Sequence, residues 1–319
     1  MMLTYILFIV GFVILIKGAN LLVDGASSVA NKLNVSSIVI GLTIVAFGTS
    51  APEFIINIFA SIQGNTEIAI GNILGSNIAN ILLILGVSAI IYPLATQKNT
   101  VWKEIPLSLL AAILLGVLVN DTLIDGGAFS GLTRIDGIIL LSFFIIFIYY
   151  TFGIAKISGE NGDLKIKQLG NFKSTLYIIG GLLGLMIGGK WIVDGAIKIA
   201  ELFNVSQSLI GLTVVAIGTS LPELATSAVA AYKKQTDIAI GNIVGSNIFN
   251  IFWILGTSAL IRPLPFSRNS DSDIKMTILA SLILFLVMFV GEKHTIKRWQ
   301  GILMVSLYIG YVAFLISSK

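Results

Sequence analysis

The chain contains no cysteine, one histidine (His294) and few charged residues. Without cysteine, disulfide frameworks, thiol nucleophiles and thiolate metal sites are excluded. Only 11% of the 319 residues are Asp, Glu, Lys or Arg, whereas soluble domains carry about 25%. Because 56% of the residues are hydrophobic and the mean hydropathy is +0.96, most of the surface is expected to face lipid.

The charge balance and the N-terminus fit a protein that stays in the membrane. A net charge of +4 is ordinary for a membrane protein with basic cytoplasmic loops, and it indicates no nucleic-acid partner. The opening MMLTYILFIVGFVILI lacks a basic region and a small-residue cleavage site. It is therefore interpreted as a first transmembrane helix and not as a removed signal peptide.

Ten apolar segments have about the length that a bilayer requires. The predicted spans are 3–25, 37–62, 67–93, 103–120, 133–152, 174–199, 207–232, 237–261, 273–291 and 299–317. The sequence thus predicts an all-α membrane protein with ten transmembrane helices.

One long polar connection, 153–173, divides the chain into a first half (1–152) and a second half (174–319) of five segments each. Five is an odd number, so the second half must enter the membrane from the opposite side. The sequence therefore predicts two inverted repeats, related by an axis in the membrane plane.

The loop charges favour one orientation. With the N-terminus outside, the inner loops hold twelve basic residues and the outer loops six. The inner set is Lys32, Lys98, Lys103, Lys156, Lys165, Lys167, Lys173, Lys233, Lys234, Lys293, Lys297 and Arg298; the outer set is Arg134, Lys198, Arg262, Arg268, Lys275 and Lys319. This bias predicts an external N-terminus and a cytoplasmic 153–173 linker.

A stretch of membrane-type sequence occurs twice, at 41–94 and 211–264. A shift of 170 aligns the copies without a gap, and 32 of the 54 positions are identical. GTSAPE and GTSLPE place Glu53 on Glu223, one carboxylate in each copy. An ionisable residue inside a membrane span is a functional hypothesis by default, and paired broken segments point to the binding site of a secondary transporter.

Proline shapes the first motif. Pro52 lacks an N–H, and its ring clashes with the carbonyl four residues earlier, so the helix is expected to bend or open near Gly48. This opening is expected to free backbone carbonyls from Ala46 to Thr49, at a depth where unpaired carbonyls survive only beside a cavity or an ion. Thr49, Ser50 and Glu53 then share one face of the turn.

A polar stripe follows in the next segment. Asn72, Ser76 and Asn80 recur every four residues, with Gly75 among them. The second copy repeats the whole set with Thr219, Ser220, Pro222, Glu223, Asn242, Ser246 and Asn250. Every converging ligand is oxygen, which suits hard cations such as calcium. Two glutamates supply a charge of −2, which one divalent ion or several sodium ions can neutralise.

Other duplicated residues are interpreted as structural. Gly71 and Gly75 form a small-residue pair typical of helix packing. Asn77, like Asn72, can join helices by hydrogen bonds. Asp24 and Asp194 also correspond between the halves; they lie near predicted helix ends, where Asp194 can pair with Lys190 one turn away.

The two motif pairs, GTSAPE with GNILGSNIAN and GTSLPE with GNIVGSNIFN, resemble the alpha repeats of the cation/calcium exchanger superfamily. The likeness is greatest to prokaryotic sodium/calcium exchangers and covers nearly the whole chain. It implies alternating access around ion sites formed by the second, third, seventh and eighth helices. It also implies long first and sixth helices that slide past the rest.

The resemblance also assigns ligands. It implies that Glu53 and Glu223 bind both calcium and sodium, and that Asn80 and Asn250 line the middle of the cluster. Thr49 and Thr219 would contribute to the central site; the flanking sodium sites would use Ser50, Ser76 and the Ala46 carbonyl, and Ser220, Ser246 and the Ala216 carbonyl. Some archaeal relatives carry aspartate at the position of Asn250, whereas this chain has asparagine in both halves and no third carboxylate.

The predicted function is a sodium/calcium antiporter in the cell membrane of a prokaryote. It would extrude calcium, work as a monomer and use no cofactor beyond the transported calcium and sodium ions. Coupling to protons or potassium in the same fold is the open alternative. A channel is less consistent with one chain supplying both halves of a closed site. An intramembrane hydrolase lacks a nucleophile with a base, and no H-E-x-x-H motif is present.

Overall fold

A computed structural model describes residues 2–124, 126, 130–155, 169–203, 216–266 and 270–317. Helices form nearly all of this part of the chain. They are α1 (Met2–Leu33), α2 (Ser37–Thr49), α3 (Ala51–Gln63), α4 (Thr66–Ile91), α5 (Glu104–Leu118), α6 (Arg134–Ala155), α7 (Asn171–Leu202), α8 (Ala216–Thr219), α9 (Leu221–Tyr232), α10 (Thr236–Ile261), α11 (Asp271–Val287) and α12 (Arg298–Ser317). Two short helices, Lys98–Trp102 and Asp121–Ile124, flank α5.

The ten predicted segments all contain helix, with several differences in their ends and continuity. Among the described residues, seven helices are long and apolar enough to cross a membrane, or eight spans with the α2–α3 pair, which bends by 47°. The segment at 207–232 begins outside the described residues and continues in α8 and α9. The 273–291 segment is the 17-residue α11.

The first and sixth helices are longer than the predicted 3–25 and 174–199. Both α1 and α7 have 32 residues, and they pack against each other along their length. A side chain at Gly18 would meet the Gly181 carbonyl oxygen at 2.8 Å, and one at Gly181 would meet the Leu22 nitrogen at 2.6 Å. Small residues let the two backbones touch along the middle of both segments. Beyond the predicted end of the first segment, Ser174 of α7 donates to Ser28 of α1 at 3.0 Å.

Two helices form the centre of the molecule. In their most apolar stretches, 94% of α10 and 78% of α4 is buried, against 22–39% for the other spanning helices. Both central helices contain a π-helical stretch, Ala79–Leu85 in α4 and Phe249–Leu255 in α10. Such stretches occur often at functional sites. Gly41–Val45 in α2 is also π-helical.

Two short strand pairs, which the all-helical prediction does not include, connect the halves. β1 (Leu94–Ala95) pairs with β4 (Thr295–Ile296), and β2 (Gly131–Leu132) pairs with β3 (Leu264–Pro265), both antiparallel. Each strand is two residues long, too short to show a strand period in the sequence. β1 and β3 follow the duplicated Pro93 and Pro263, which end α4 and α10.

The outer helices present large apolar side chains to the surroundings. Ile145 and Ile146 on α6 are 68% and 61% exposed, and Ile309 on α12 is 62% exposed. An apolar exterior around a more polar centre is the arrangement of a protein in lipid. The chain is therefore a multi-pass membrane protein, as the composition predicts.

Candidate functional site

The α2–α3 break positions the first carboxylate. Pro52 lies at the second position of α3, and Ser50 between the two helices has φ −80° and ψ 5°. Because Pro52 has no N–H, the Gly48 carbonyl lacks its regular helical donor. Glu53 thus lies in the first turn of α3, where a helix N-terminus stabilises negative charge, and it is 1% exposed.

The second carboxylate has the same surroundings. Pro222 and Glu223 lie in the first turn of α9, after the break at Ser220, and Glu223 is 1% exposed. The break that the duplicated prolines predict is therefore present in both halves.

Serine hydroxyls bind one oxygen of each glutamate. Ser76 donates to Glu53 Oε1 at 3.4 Å, and Ser246 donates to Glu223 Oε1 at 3.5 Å. Ser50 from the first half also donates to Glu223 Oε1, at 3.2 Å. The two halves thus share the site, since a hydroxyl of one repeat contacts the carboxylate of the other.

The remaining hydroxyls link α4 and α10 to the breaks. Thr49 donates to Asn242 Oδ1 at 2.9 Å and lies 3.5 Å from Ser246 Oγ. In the mirrored position, Asn72 Nδ2 donates to Thr219 Oγ1 at 3.4 Å. Ser220 Oγ donates to Ser76 Oγ at 3.3 Å. All six predicted hydroxyl residues therefore lie around the two glutamates.

Four asparagines form a crossed pair of contacts between α4 and α10. Asn80 Nδ2 donates to Asn247 Oδ1 at 2.9 Å, and Asn250 Nδ2 donates to Asn77 Oδ1 at 2.8 Å. Asn77 and Asn247 each donate to the other's backbone carbonyl, at 3.4 and 3.5 Å. The predicted residues Asn80 and Asn250 are 1% exposed and lie one helical turn after Ser76 and Ser246.

Four buried oxygens on the glutamates and the central asparagines have no hydrogen-bond donor in the described part of the chain. They are Glu53 Oε2, Glu223 Oε2, Asn80 Oδ1 and Asn250 Oδ1. Buried polar atoms without partners are costly, so they indicate a ligand that the residues themselves do not supply. Two carboxylate and two amide oxygens suit a hard cation. No group of three or more His, Cys, Asp or Glu that could hold a metal occurs among the described residues.

The prediction that the break frees the Ala46 carbonyl is wrong. That oxygen accepts from the Ser50 N–H at 3.0 Å and from Thr49 Oγ1 at 3.3 Å. The reason is that the helix breaks at Ser50, one half-turn after Gly48, so Ala46 keeps its regular partner. In the second half the Ser220 N–H donates to the Ile217 carbonyl at 3.1 Å instead. Ala216 begins α8, and its side chain lies outside the described residues.

Sequence reasoning missed one pair of supporting residues. Asn57 Nδ2 donates to the Glu53 carbonyl and to Asn72 Oδ1, both at 2.9 Å. At the corresponding position, Ser227 accepts from Asn242 Nδ2 at 3.0 Å. In the sequence, these residues are recognisable only as a polar residue four positions after each glutamate. Because one is asparagine and the other serine, they are not among the identical positions of the two copies.

The duplicated aspartates near the helix ends have different surroundings. Asp24 pairs with Lys233 at 2.7 Å, and Lys233 also donates to the Asn20 carbonyl at 3.2 Å. The pair joins α1 to the end of α9. The possible ion pair of Asp194 with Lys190 is absent from the described residues, where both side chains are exposed.

The sequence and the fold were compared with those of known proteins, and a family, several relatives and solved structures match. Residues 3–153 and 173–317 match the family described as "Sodium/calcium exchanger protein". The chain is 38% identical to the putative antiporter CaxA of Alkalimonas amylolytica, over 100% of both chains. It is 33% identical to the sodium/calcium exchanger MaX1 of Methanosarcina acetivorans, over 98% of both chains. A solved structure of the sodium-calcium exchanger NCX_Mj, soaked with sodium and calcium, has a TM-score of 0.84 at 37% identity and covers 98% of each chain.

Proposed function

The chain belongs to the sodium/calcium exchanger protein family, and from that premise we propose that it exchanges sodium for calcium by alternating access. Exchangers of this family are transporters and not enzymes. The observation that carries the proposal is the set of four buried, unpartnered oxygens on Glu53, Glu223, Asn80 and Asn250.

The charge of this cluster explains why exchange would be obligatory. Two carboxylates facing each other in a dry centre repel and resist ionisation without a cation. One calcium ion neutralises both, and so do two sodium ions, with neutral oxygens able to hold a third. A site that is costly to leave empty changes sides only with a cation bound, so ions leave by replacement.

The flanking hydroxyls would form the sodium sites. One site would use Ser50, Ser76 and the Ala46 carbonyl, and the other would use Ser220, Ser246 and the Ala216 carbonyl. On the first side, Thr49 Oγ1 would have to release the Ala46 oxygen, which it now contacts at 3.3 Å. Thr49 and Thr219 would then contribute to the central calcium site.

We propose that sodium enters the cell and calcium leaves it. We propose a prokaryotic cell membrane, an external N-terminus and a cytoplasmic 153–173 linker between the two inverted five-helix repeats. If three sodium ions enter for each calcium that leaves, one net charge crosses per cycle. The membrane potential then contributes about 2.3 kcal/mol per 100 mV to calcium extrusion. One chain supplies the whole site, so a monomer would suffice.

A proton- or potassium-coupled exchanger is the second candidate. The observation in its favour is that Glu53 Oε2 and Glu223 Oε2 have no donor, and a carboxylate oxygen can take a proton. The name of the relative CaxA specifies an antiporter without naming sodium.

Calcium uptake into proteoliposomes separates these candidates. Vesicles loaded with sodium are diluted into choline, potassium or sodium medium, and a parallel set carries only a pH gradient. The sodium proposal predicts uptake that requires an outward sodium gradient and is lost in Glu53→Gln and Glu223→Gln. Uptake driven by the pH gradient alone, or uptake that requires potassium, would replace sodium as the coupling ion.

A further inference from the structure

We infer that Asn77 and Asn247 are positioning residues that turn the amides of Asn250 and Asn80, so that oxygen and not nitrogen faces the bound cation. This inference rests on the proposed function, because it concerns the same site. An amide is a cation ligand only through its oxygen, since the NH2 group is a donor with no free acceptor. A neutral asparagine at the centre of a cation site therefore needs something that fixes its orientation.

The backbone supplies a fixed starting point. Asn247 donates its Nδ2 to the Asn77 carbonyl at 3.5 Å, and a carbonyl can only accept. Asn247 Oδ1 must then face the other way, where it accepts from Asn80 Nδ2 at 2.9 Å. Because the nitrogen of Asn80 is used in this contact, its oxygen is the atom left over.

The mirrored chain of contacts fixes the other amide. Asn77 donates its Nδ2 to the Asn247 carbonyl at 3.4 Å, and its Oδ1 accepts from Asn250 Nδ2 at 2.8 Å. The orientation of each central amide is thus determined by a backbone carbonyl of its own repeat, acting through an asparagine of the opposite repeat. Two hydrogen bonds in series connect that carbonyl to the ligand.

The atoms left over are the ones that a cation requires. Asn80 Oδ1 and Asn250 Oδ1 are buried and have no donor within the described ranges of the chain. The two amides also lie between α4 and α10 at the beginning of the π-helical stretches. If Asn77 were absent, Asn250 could rotate its amide by half a turn and present an NH2 group to the site. A cation would then meet a donor instead of a ligand.

Asn77→Ala is the direct test, because it removes the amide but keeps the backbone carbonyl that holds Asn247. Calcium affinity is measured by titration calorimetry on the purified full-length protein in sodium-free detergent solution. We expect the Kd for calcium to rise about tenfold, the usual effect of removing a group that orients a metal ligand. Asn247→Ala is expected to have an effect of the same size through Asn80.

Aspartate substitutions separate orientation from packing. A carboxylate presents oxygen whichever way it turns, so it does not need an orienting partner. In an Asn250→Asp background, Asn77→Ala is therefore expected to cost less than twofold. In an Asn80→Asp background, which adds the same charge at the mirrored position, Asn77→Ala is expected to keep its cost of about tenfold. Each comparison is made within one background, so the added charge cancels.

The outcomes distinguish this inference from the proposed function. An equal cost of Asn77→Ala in all three backgrounds would mean that it acts only through packing, and would overturn the inference. So would an Asn77→Ala protein with unchanged calcium affinity. A wild-type chain that binds no calcium would overturn the proposed function itself. Thermal unfolding in the same detergent identifies any variant that fails to fold, and Asn247→Ala with Asn80→Asp then repeats the test from the other side.

Discussion

The two repeats share the glutamates and the serine and asparagine residues near them, and they differ in the packing around this site. Ser76 and Ser246 bind the glutamate of their own repeat, and the four central asparagines make mirrored contacts. Close to Asn80 in the sequence, Ala79 and Leu83 of α4 correspond to Phe249 and Trp253 of α10. Because side chains of both repeats meet in one site, that site constrains both copies, whereas the packing around it can diverge.

An aromatic side chain of the second repeat packs against the helix break of the first repeat. Trp253 stacks on Phe54 with 4.2 Å between ring centroids and on Phe47 with 5.1 Å. These two phenylalanines lie on either side of the α2–α3 break. The second repeat therefore packs an aromatic ring against the break in the first. Leu83, the counterpart of Trp253, has no ring that could pack in the same way against the break in the second repeat.

A second difference concerns a charge between helices. Lys233, which pairs with Asp24, corresponds to Gln63 in the first repeat, so Asp194 has no equivalent lysine at that position. Lys190 instead corresponds to Asn20, which places the second lysine on the same helix as its aspartate. In the part of the chain that the structure describes, Asp24 joins two helices through such an ion pair and Asp194 does not.

The largest effect is expected where the repeats agree. Glu53→Gln and Glu223→Gln should each lower sodium-driven calcium uptake about a hundredfold or more, because a divalent ion loses one of two full charges, on the order of 3 kcal/mol. Glu292→Gln, at an exposed pair with Lys297, serves as the control. If one of the two site variants kept wild-type uptake, the repeats would not be equivalent at the site.

A smaller effect is expected where the second repeat has its extra ring. Trp253→Leu copies the first-repeat residue and removes the stacks on Phe47, Phe54 and Phe144, and it should destabilise the protein by about 2 kcal/mol. Thermal unfolding in detergent measures this change, with Trp299→Leu, whose side chain is 52% exposed, as the matched control. Equal shifts in the two variants would mean that the stack contributes nothing beyond its apolar area.

The smallest effect is expected at the ion pair. Lys233→Gln copies the first-repeat residue and should cost about 1 kcal/mol, since the pair is only partly shielded from water. Lys297→Gln breaks a more exposed pair and should cost less. Unfolding midpoints of the two variants decide the point, and a larger shift for Lys297→Gln would contradict it.

Much of the fold was predictable because its signals are strong and repeated. Apolar length predicts the spans, and the exact correspondence of Pro52 with Pro222 predicts the two helix breaks. The ends of α1 and α7 were not predictable, since they lie beyond the apolar cores and make contacts between distant residues, such as that of Ser28 with Ser174. The two-residue strands depend on contacts between residues about 130 to 200 positions apart, for which single segments carry no pattern.

The grouping of the candidate residues was predictable, but the hydrogen bonds between them were not. Motif comparison indicates Glu53, Ser76 and Asn80 with their counterparts, and the structure brings them together. It cannot indicate that Asn80 is held by Asn247 of the other repeat, because that contact exists only after α4 and α10 pack together. For the same reason the sequence predicts Asn77 as a helix-joining residue, which agrees with its contacts to Asn247 and Asn250, but it does not indicate that Asn77 holds the Asn250 amide.

If the proposed function is correct, calcium and sodium share the oxygens around Glu53 and Glu223. Competition binding measures this: calcium titrations of the purified protein are repeated at increasing sodium concentration, with choline holding the ionic strength constant. We expect sodium to raise the apparent Kd for calcium steeply and without a plateau, as expected for ions that cannot occupy the site together. A calcium Kd that does not change with sodium would contradict it.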